Sequence, residues 1–244
     1  MPNNRTVRDE AVSPSDVTPI SYRIVTIPKF AGDETNNVPQ LALAHRFRDF
    51  RLLALKSSPG AFASTYEEES RRSLDHTLER LMSTKAIQFV ALAVGDALGD
   101  DVVCEADTEE LLEHDWLGTV VLMGPNEDSK SISANADPLG QMEARSDQAA
   151  KGEDHEALHF HLNGMFVRTF ARGAGMGRRL IEVALGKARE KSGGIGPHCT
   201  IIVDEWNDKA KNLYERCGFE VVATEVYGGD RVALRMALRE AGSA

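Results

Sequence analysis

Between Phe166 and Arg179 the chain runs from an apolar stretch into Arg172-Gly173-Ala174-Gly175-Met176-Gly177 and then directly into a helical pattern. Leu180, Ile181, Ala184, Leu185 and Ala188 recur at the spacing that one buried face of an α-helix requires. A strand must end here, a glycine-rich turn must follow, and a helix must start. Alternate glycines let backbone N–H groups converge without side-chain obstruction, and the first N–H groups of a helix carry partial positive charge. Arg172, Arg178 and Arg179 add formal charge. The segment therefore reads either as a plain strand–helix turn or as an anion site. A dinucleotide loop, G-x-G-x-x-G, would need its third glycine one residue later than Gly177, and a P-loop would need a closing Gly-Lys-Ser/Thr. Neither pattern fits.

The remaining elements follow from periodicity. Tyr22–Ile27, Ile87–Val94, Trp116–Met123, Leu158–Val167, Cys199–Val203, Phe219–Val226 and Arg231–Leu238 read as strands. A helix follows Pro39, with Leu43, Phe47, Phe50 and Ala54 on one face, and stops at Ser58-Pro59-Gly60. Thr65-Tyr66-Glu67-Glu68 has the form of a capping box, expected to open a helix carrying Leu74, Leu78 and Leu81. Gly175–Lys191 and Asn207–Cys217 read as further helices, and residues 227–230 as a turn. The order β-α-α-β-β-β-α-β-α-β-β describes an α/β sandwich around a mixed sheet. Asp100–Asp115 carries eight acidic residues and no Lys or Arg, which reads as a solvated loop with a helical turn near Leu111. Residues 124–157 are polar and acidic, with too little apolar surface to offset ordering entropy, and are expected to form a mobile insertion. Residues 1–20 read as a flexible tail, leaving 21–240 as one domain.

A second motif lies about thirty residues beyond the first. Asn207, Ala210 and Tyr214 stand at i, i+3 and i+7, followed by Cys217-Gly218-Phe219. Two helical turns place Asn207 and Tyr214 on one face, roughly 10 Å apart along the axis. Each residue alone would be explained by helix capping or by surface packing. Together with Arg172–Gly177, however, the pair resembles the GNAT (Gcn5-related N-acetyltransferase) superfamily, in its R/Q-x-x-G-x-G/A loop and its N-x-x-A-x-x-x-Y-x-x-x-G-F pattern. Thr169 departs from the proline common at that position.

That resemblance implies a mixed, mostly antiparallel seven-stranded sheet flanked by helices and splayed between the fourth and fifth strands. It implies transfer of an acetyl group from acetyl-CoA to a primary amine by direct attack on the thioester. In that family the strand ending near the position of Val167 carries a β-bulge; carried over residue by residue, Met165, Phe166 and Val167 pair through their backbone with the pantetheine arm, and the Val167 N–H meets the thioester oxygen. Arg172, Gly173, Ala174, Gly175, Met176, Gly177 and Arg178 hold the pyrophosphate. Asn207 and Ala210 flank the arm, and Tyr214 both contacts the sulfur and protonates the departing thiolate. The loop between the first two helices roofs the acceptor, which places Phe62 and Tyr66 there, with Tyr227 from the last turn.

The base is not given by the family pattern. Period-two geometry on Leu158–Val167 sends His159, His161 and Asn163 to one face, and Phe160, Leu162 and Phe166 to the other. The His-x-His pair resembles the arrangement in aralkylamine acetyltransferases, which makes His161 the first candidate and His159 the second. Glu67, Glu68 or Asp204 acting through water is an alternative, and so is a merely structural pair of histidines. An ordinary imidazole would put an ascending limb in the pH–rate profile near its pKa of ~6.5.

The net charge of −10 argues against nucleic acid as partner. No apolar run approaches the length of a membrane span, and the N-terminus lacks a signal-peptide core. The three cysteines form no C-x-x-C pair, which points to a reducing compartment, the cytoplasm or the nucleus. No metal is expected. The oligomeric state is open, a homodimer included. Two other readings of function compete, a non-catalytic acyl-CoA sensor and a peptide- or lysine-directed enzyme.

Overall fold

The computed structural model describes residues 20–30, 38–95, 104–126, 158–193, 196–227 and 231–239. The expected tail up to residue 19, the expected insertion from residue 127 to 157 and turn residues 228–230 lie outside them. In chain order the elements are β1 (Tyr22–Thr26), α1 (Val38–Ser57), α2 (Tyr66–Arg71), α3 (Leu74–Met82), β2 (Ala86–Ala93), β3 (Cys104–Glu105) and α4 (Thr108–Glu113). They continue with β4 (Trp116–Asn126), β5 (His159–Val167), α5 (Met176–Ser192), β6 (His198–Asp204), α6 (Asp208–Arg216), β7 (Glu220–Tyr227) and β8 (Arg231–Arg239).

Among the described residues the strands form one sheet, in the order β3-β1-β2-β4-β5-β6-β8-β7. The seven long strands are those expected. The eighth, β3, is two residues long and comes from the acidic stretch expected to be a loop. It lies parallel to β1 at the edge, where Ala106 is buried and its N–H donates to the Thr26 carbonyl at 3.2 Å. The expected helical turn near Leu111 is α4, capped by Asp107 accepting from the Glu110 N–H. Among the long strands every pair is antiparallel except β5–β6, which joins the fourth to the fifth.

Both faces of the sheet are buried around β2 and β4. On β2, Phe89 and Ala91 face α5, and Val90 and Leu92 face α1, as period-two geometry requires of a central strand. The α5 side gathers Leu180, Ile181, Ala184, Leu185 and Ala188 against Val120, Leu122, Phe160, Leu162 and Ile201. The α1 side is organised by aromatic rings. Phe50 meets Trp116 and Phe166 edge-on, each at 5.6 Å between centroids, a favoured geometry for aromatic quadrupoles. The indole N–H of Trp116 donates to the Leu111 carbonyl at 2.8 Å, so the ring buries no unmet donor.

Two local expectations need correction. The capping box at Thr65 forms, but its helix ends at Arg71 because Arg72 is extended (φ −69°, ψ 145°). Ser73 then caps a separate helix, α3, and that helix carries Leu74, Leu78 and Leu81. The strict alternation expected along β5 also fails. Register runs Thr119↔Phe166 and then Val121↔Asn163, so β5 holds one extra residue there. Gly164 takes the left-handed conformation (φ +61°), and this bulge shifts the phase by one. Phe160 and Leu162 therefore face α5, whereas Phe166 turns to the α1 side and packs on Phe50.

Glycines give a test of this packing. A Cβ on Gly118 would lie 3.0 Å from both Leu180 Cδ1 and the Phe166 carbonyl oxygen, whereas nothing lies within 4 Å of one on Gly186, exposed in mid-α5. Urea unfolding should show Gly118→Val less stable by ~1–3 kcal/mol through overpacking. Gly186→Ala should be more stable by ~0.5–1 kcal/mol, the usual gain in a helix interior.

Candidate functional site

The β5–β6 ladder runs from His159↔His198 to Leu162↔Ile201 and stops. From Asn163 to Val167 on one strand, and from Ile202 to Asp204 on the other, no cross-strand register continues. The bulge at Gly164 bends β5 where pairing ends, and the two strands enclose a pocket. Its walls include His161, Asn163 and Met165 from β5, Ile202 and Asp204 from β6, and Tyr214 from α6. Arg51, Ala61, Phe62 and Ala63 close it from above.

Backbone orientation beside the pocket follows from the ladder on the other side of β5. The Arg168 N–H donates to the Leu117 carbonyl at 2.8 Å, which makes that pair hydrogen-bonded. Antiparallel pairs alternate, so the neighbouring pair, Gly118↔Val167, is the non-hydrogen-bonded kind. The Val167 N–H and C=O therefore point away from β4, toward the splay. The carbonyl accepts from Arg172 Nε at 2.8 Å, in agreement with that direction.

Beyond Val167 a 3₁₀ turn, Thr169–Ala171, leads into the glycine loop. Gly173 (φ +89°) and Gly175 (φ +82°) are left-handed, with nothing within 4 Å of a built Cβ, so the loop backbone is open on its outer side. Gly175 is the N-cap of α5 and offers no side chain to the N–H groups behind it, the arrangement that suits an anion. Gly177 has another role. Its Cβ would lie 3.2 Å from Leu213 Cδ2 and from Met165 Cε, so its lack of a side chain lets α5, α6 and β5 meet. Sequence reasoning grouped all three glycines as an anion cradle; at the third, the missing side chain also serves packing.

Nor do the arginines converge on the loop. The Arg172 guanidinium turns back to Val167 O and Ser58 Oγ (3.1 Å), and Arg178 pairs with Glu182 at 2.7 Å. Arg172 thereby ties the loop after α1 to one wall of the splay. Arg231 ties it to the other, donating to the Gly60 carbonyl at 2.6 Å and pairing with the buried Asp204 at 2.7 Å. The roof loop is clamped on both sides. Phe62 lies in it, with the Arg51 guanidinium 4.6 Å from its ring centroid. Tyr66 is 40% exposed at the start of α2 and does not line the pocket. Tyr227 ends β7, and its side chain lies outside the described ones.

Asn207 is the N-cap of α6, its side-chain oxygen accepting from the Ala210 N–H at 3.3 Å. Ala210 packs against the α5-side core. Tyr214 is buried against Phe219, and burial, with the neighbouring Cys217 second, pushes its phenol well above the ordinary range. It stays protonated at any working pH. His161 is 3% exposed, and burial, with the Arg235 charge second, pushes its imidazole down to about 4. The expected titration near 6.5 is thus absent, and His161 is neutral at pH 7. His159 lies outside the pocket lining, its Nδ1 3.0 Å from His198 Nδ1. Glu68 is committed to the capping box, whose backbone N–H bond from Thr65 leads in holding its carboxyl below the usual range. Glu67 is exposed on α2 and also outside the lining.

Of the candidates, the pocket brings together His161, Met165, Phe62 and Tyr214, with Asp204 from among the alternatives. Sequence reasoning missed Arg51, Asn163 as a wall residue, and the Arg231 clamp. Nothing local in the sequence marks Arg231. Among the described residues no group of three or more His, Cys, Asp or Glu could hold a metal, and no helix is long and apolar enough to cross a membrane.

Comparison with known proteins bears on this geometry. Residues 98–219 match the family described as the Acetyltransferase (GNAT) family. Blasticidin-S acetyltransferase from Streptomyces morookaense is 39% identical over 64 residues, 26% of this chain and 44% of that protein. The match thus spans less than half of that relative. Among solved structures, Arabidopsis thaliana NAA60 in complex with acetyl-CoA is similar with a TM-score of 0.52 and 14% identity, covering 90% of this chain and 98% of that one. NAA60 in complex with a bisubstrate analogue gives 0.53 and 14%, covering 91% and 100%. At that identity the likeness concerns fold alone.

The buried imidazole has a stability signature. Unfolded, His161 protonates near 6.5; folded, it resists protonation down to about 4, so acid favours the unfolded chain across that interval. Stability should be flat above pH 6.5 and fall between pH 6.5 and 4, with this residue contributing on the order of 3 kcal/mol. Denaturant unfolding of His161→Gln should show a flatter acid limb; an unchanged limb would mean the imidazole is not held neutral.

Proposed function

The chain belongs to the acetyltransferase (GNAT) family, and on that premise we propose that it moves an acetyl group from acetyl-CoA to a primary amine held in the β5–β6 splay. The observation that carries this reading is the Val167 N–H, turned toward the splay by the ladder alternation, two residues beyond Met165 in a pocket that the Tyr214 and His161 side chains also line. A strand edge that loses its partner presents backbone donors and acceptors to an extended ligand. Met165, Phe166 and Val167 are that edge, and the pantetheine arm is such a ligand. The anionic end then falls to the backbone from Arg172 to Gly177, where the N–H groups at the start of α5 face an open loop, with Arg178 nearby. Asn207 and Ala210 border the arm from α6. The Asn207 side-chain oxygen serves the helix cap, so its NH₂ is the donor for a ligand carbonyl.

Three chemical demands are met by three groups. The amine attacks as the neutral base, since an ammonium nitrogen has no lone pair. As the C–N bond forms, negative charge develops on the thioester oxygen, and the Val167 N–H stabilises it. The nitrogen becomes acidic in the same step, and the neutral His161 imidazole takes its proton. The C–S bond breaks and Tyr214, kept protonated by burial, gives its proton to the sulfur. With its pKa near 4, His161 is basic enough for a nitrogen already bonded to carbon but not for a solvated alkylammonium of pKa ~10. The ascending limb of the pH–rate profile should therefore follow the acceptor amine rather than an imidazole near 6.5. Acceptors of different basicity should shift that limb. The buried Asp204, held by its ion pair with Arg231, is the one carboxylate lining the pocket, with Phe62 and Arg51 above.

Thiol release from acetyl-CoA across a panel of primary amines tests the proposal; CoA binding without acetyl transfer to any of them would favour a sensor. Tyr214→Phe keeps the ring and removes the proton, so kcat should fall by ~10²-fold or more while acetyl-CoA affinity holds. Gly175→Val forces a left-handed position on a β-branched residue, costing ~1–2 kcal/mol or roughly tenfold in CoA affinity by calorimetry. Full turnover by Tyr214→Phe would remove the acid assignment, and unchanged affinity in Gly175→Val would remove the loop assignment.

A further inference from the structure

His161 faces Thr200 directly across the parallel ladder, and the two side chains lie on the same side of the sheet. Thr200 Oγ1 is 3.0 Å from His161 Nδ1 and 3.2 Å from the Phe160 carbonyl oxygen, to which it donates. A hydroxyl has one proton. The one arrangement that satisfies both contacts sends that proton to Phe160, leaves Thr200 a lone pair for the imidazole and puts hydrogen on Nδ1. A neutral imidazole has a single N–H, so its lone pair lies at Nε2.

We infer that Thr200 is a positioning residue that fixes His161 as the Nδ1–H tautomer and so keeps Nε2 as the proton acceptor of the pocket. The inference rests on the reading of His161 as the group that takes the amine proton, and it adds which nitrogen does so and what holds it. Nothing else at this position would serve as well. Valine has the same shape and no lone pair, and serine keeps the oxygen with a freer rotamer. The carbonyl that orients Thr200 belongs to Phe160, the residue preceding His161, so strand pairing itself sets the hydroxyl rotor. The tautomer follows from the register, and a slip of one residue would remove it.

Long-range ¹H–¹⁵N correlation of the uniformly labelled full chain at pH 7 reads the tautomer directly, with the His161 signals assigned by their loss in His161→Gln. The expected spectrum has a protonated, pyrrole-type Nδ1 and an unprotonated, pyridine-type Nε2. The reverse pattern overturns the inference without recourse to any variant. In Thr200→Val the His161 signals should move toward the Nε2–H tautomer, and kcat should drop about tenfold or more with KM for acetyl-CoA unchanged. Thr200→Ser should restore both. An unaltered tautomer in folded Thr200→Val would also overturn the role of Thr200. A tautomer that shifts while kcat holds would support the Thr200 contact and overturn the base role of His161, so the two readings fail in different ways.

Discussion

The architecture turns on one interrupted ladder. Parallel pairing between β5 and β6 is satisfied for four residue pairs and then ends at Leu162↔Ile201, next to the bulge at Gly164. A sheet interior with an open seam would be costly if its backbone groups found no partner, because buried N–H and C=O groups require hydrogen bonds. The seam is tolerated here because both flanks are held independently. β5 is paired to β4 and packed on both faces, and β6 is paired to β8 throughout. The same extra residue that opens the seam sends Phe166 into the α1-side aromatic cluster and Val167 into the α5-side core. That anchors the end of β5 while its outer edge opens on the splay.

Burial supplies the chemistry on either side of the seam. The same desolvation acts in opposite senses on two groups, raising the Tyr214 phenol and lowering the His161 imidazole, because each is pushed toward its neutral form. A neutral donor and a neutral acceptor at one pocket are what the proposed aminolysis of a thioester would require at pH 7. The roof loop completes the enclosure. Its clamps come from residues far apart in sequence, Arg172 and Arg231, each reaching a different wall. Because Arg172 also caps the Val167 carbonyl, the roof and the edge strand are mechanically linked.

Much of this was legible in the residues. Alternation identified the long strands, the Leu180–Ala188 stripe set the buried face of α5, and the two motifs pointed to β5 and Tyr214, which share one pocket. What escaped was non-local. The resemblance implied a bulge in this strand, but its place at Gly164, and with it the turn of Phe166 to the α1 side, was not read. Gly177 looks the same in sequence as Gly175, but its role depends on Leu213 and Met165 arriving from other elements. The division of α2 from α3 at Arg72–Ser73 was within reach, since Ser73 before Leu74 is itself a capping signal. The His161 pKa could not be read, because burial is a property of the assembled sheet.

The most direct test of the open seam is amide hydrogen exchange of the full chain, with and without saturating CoA, at a pH where the fold is intact. If the cofactor arm completes the ladder, exchange in the Met165–Val167 segment should slow markedly on binding, and exchange in the β1–β2 ladder should stay as it was. CoA bound by calorimetry with Met165–Val167 exchanging at its unliganded rate would contradict the account, since the edge strand would then not be where the ligand lies.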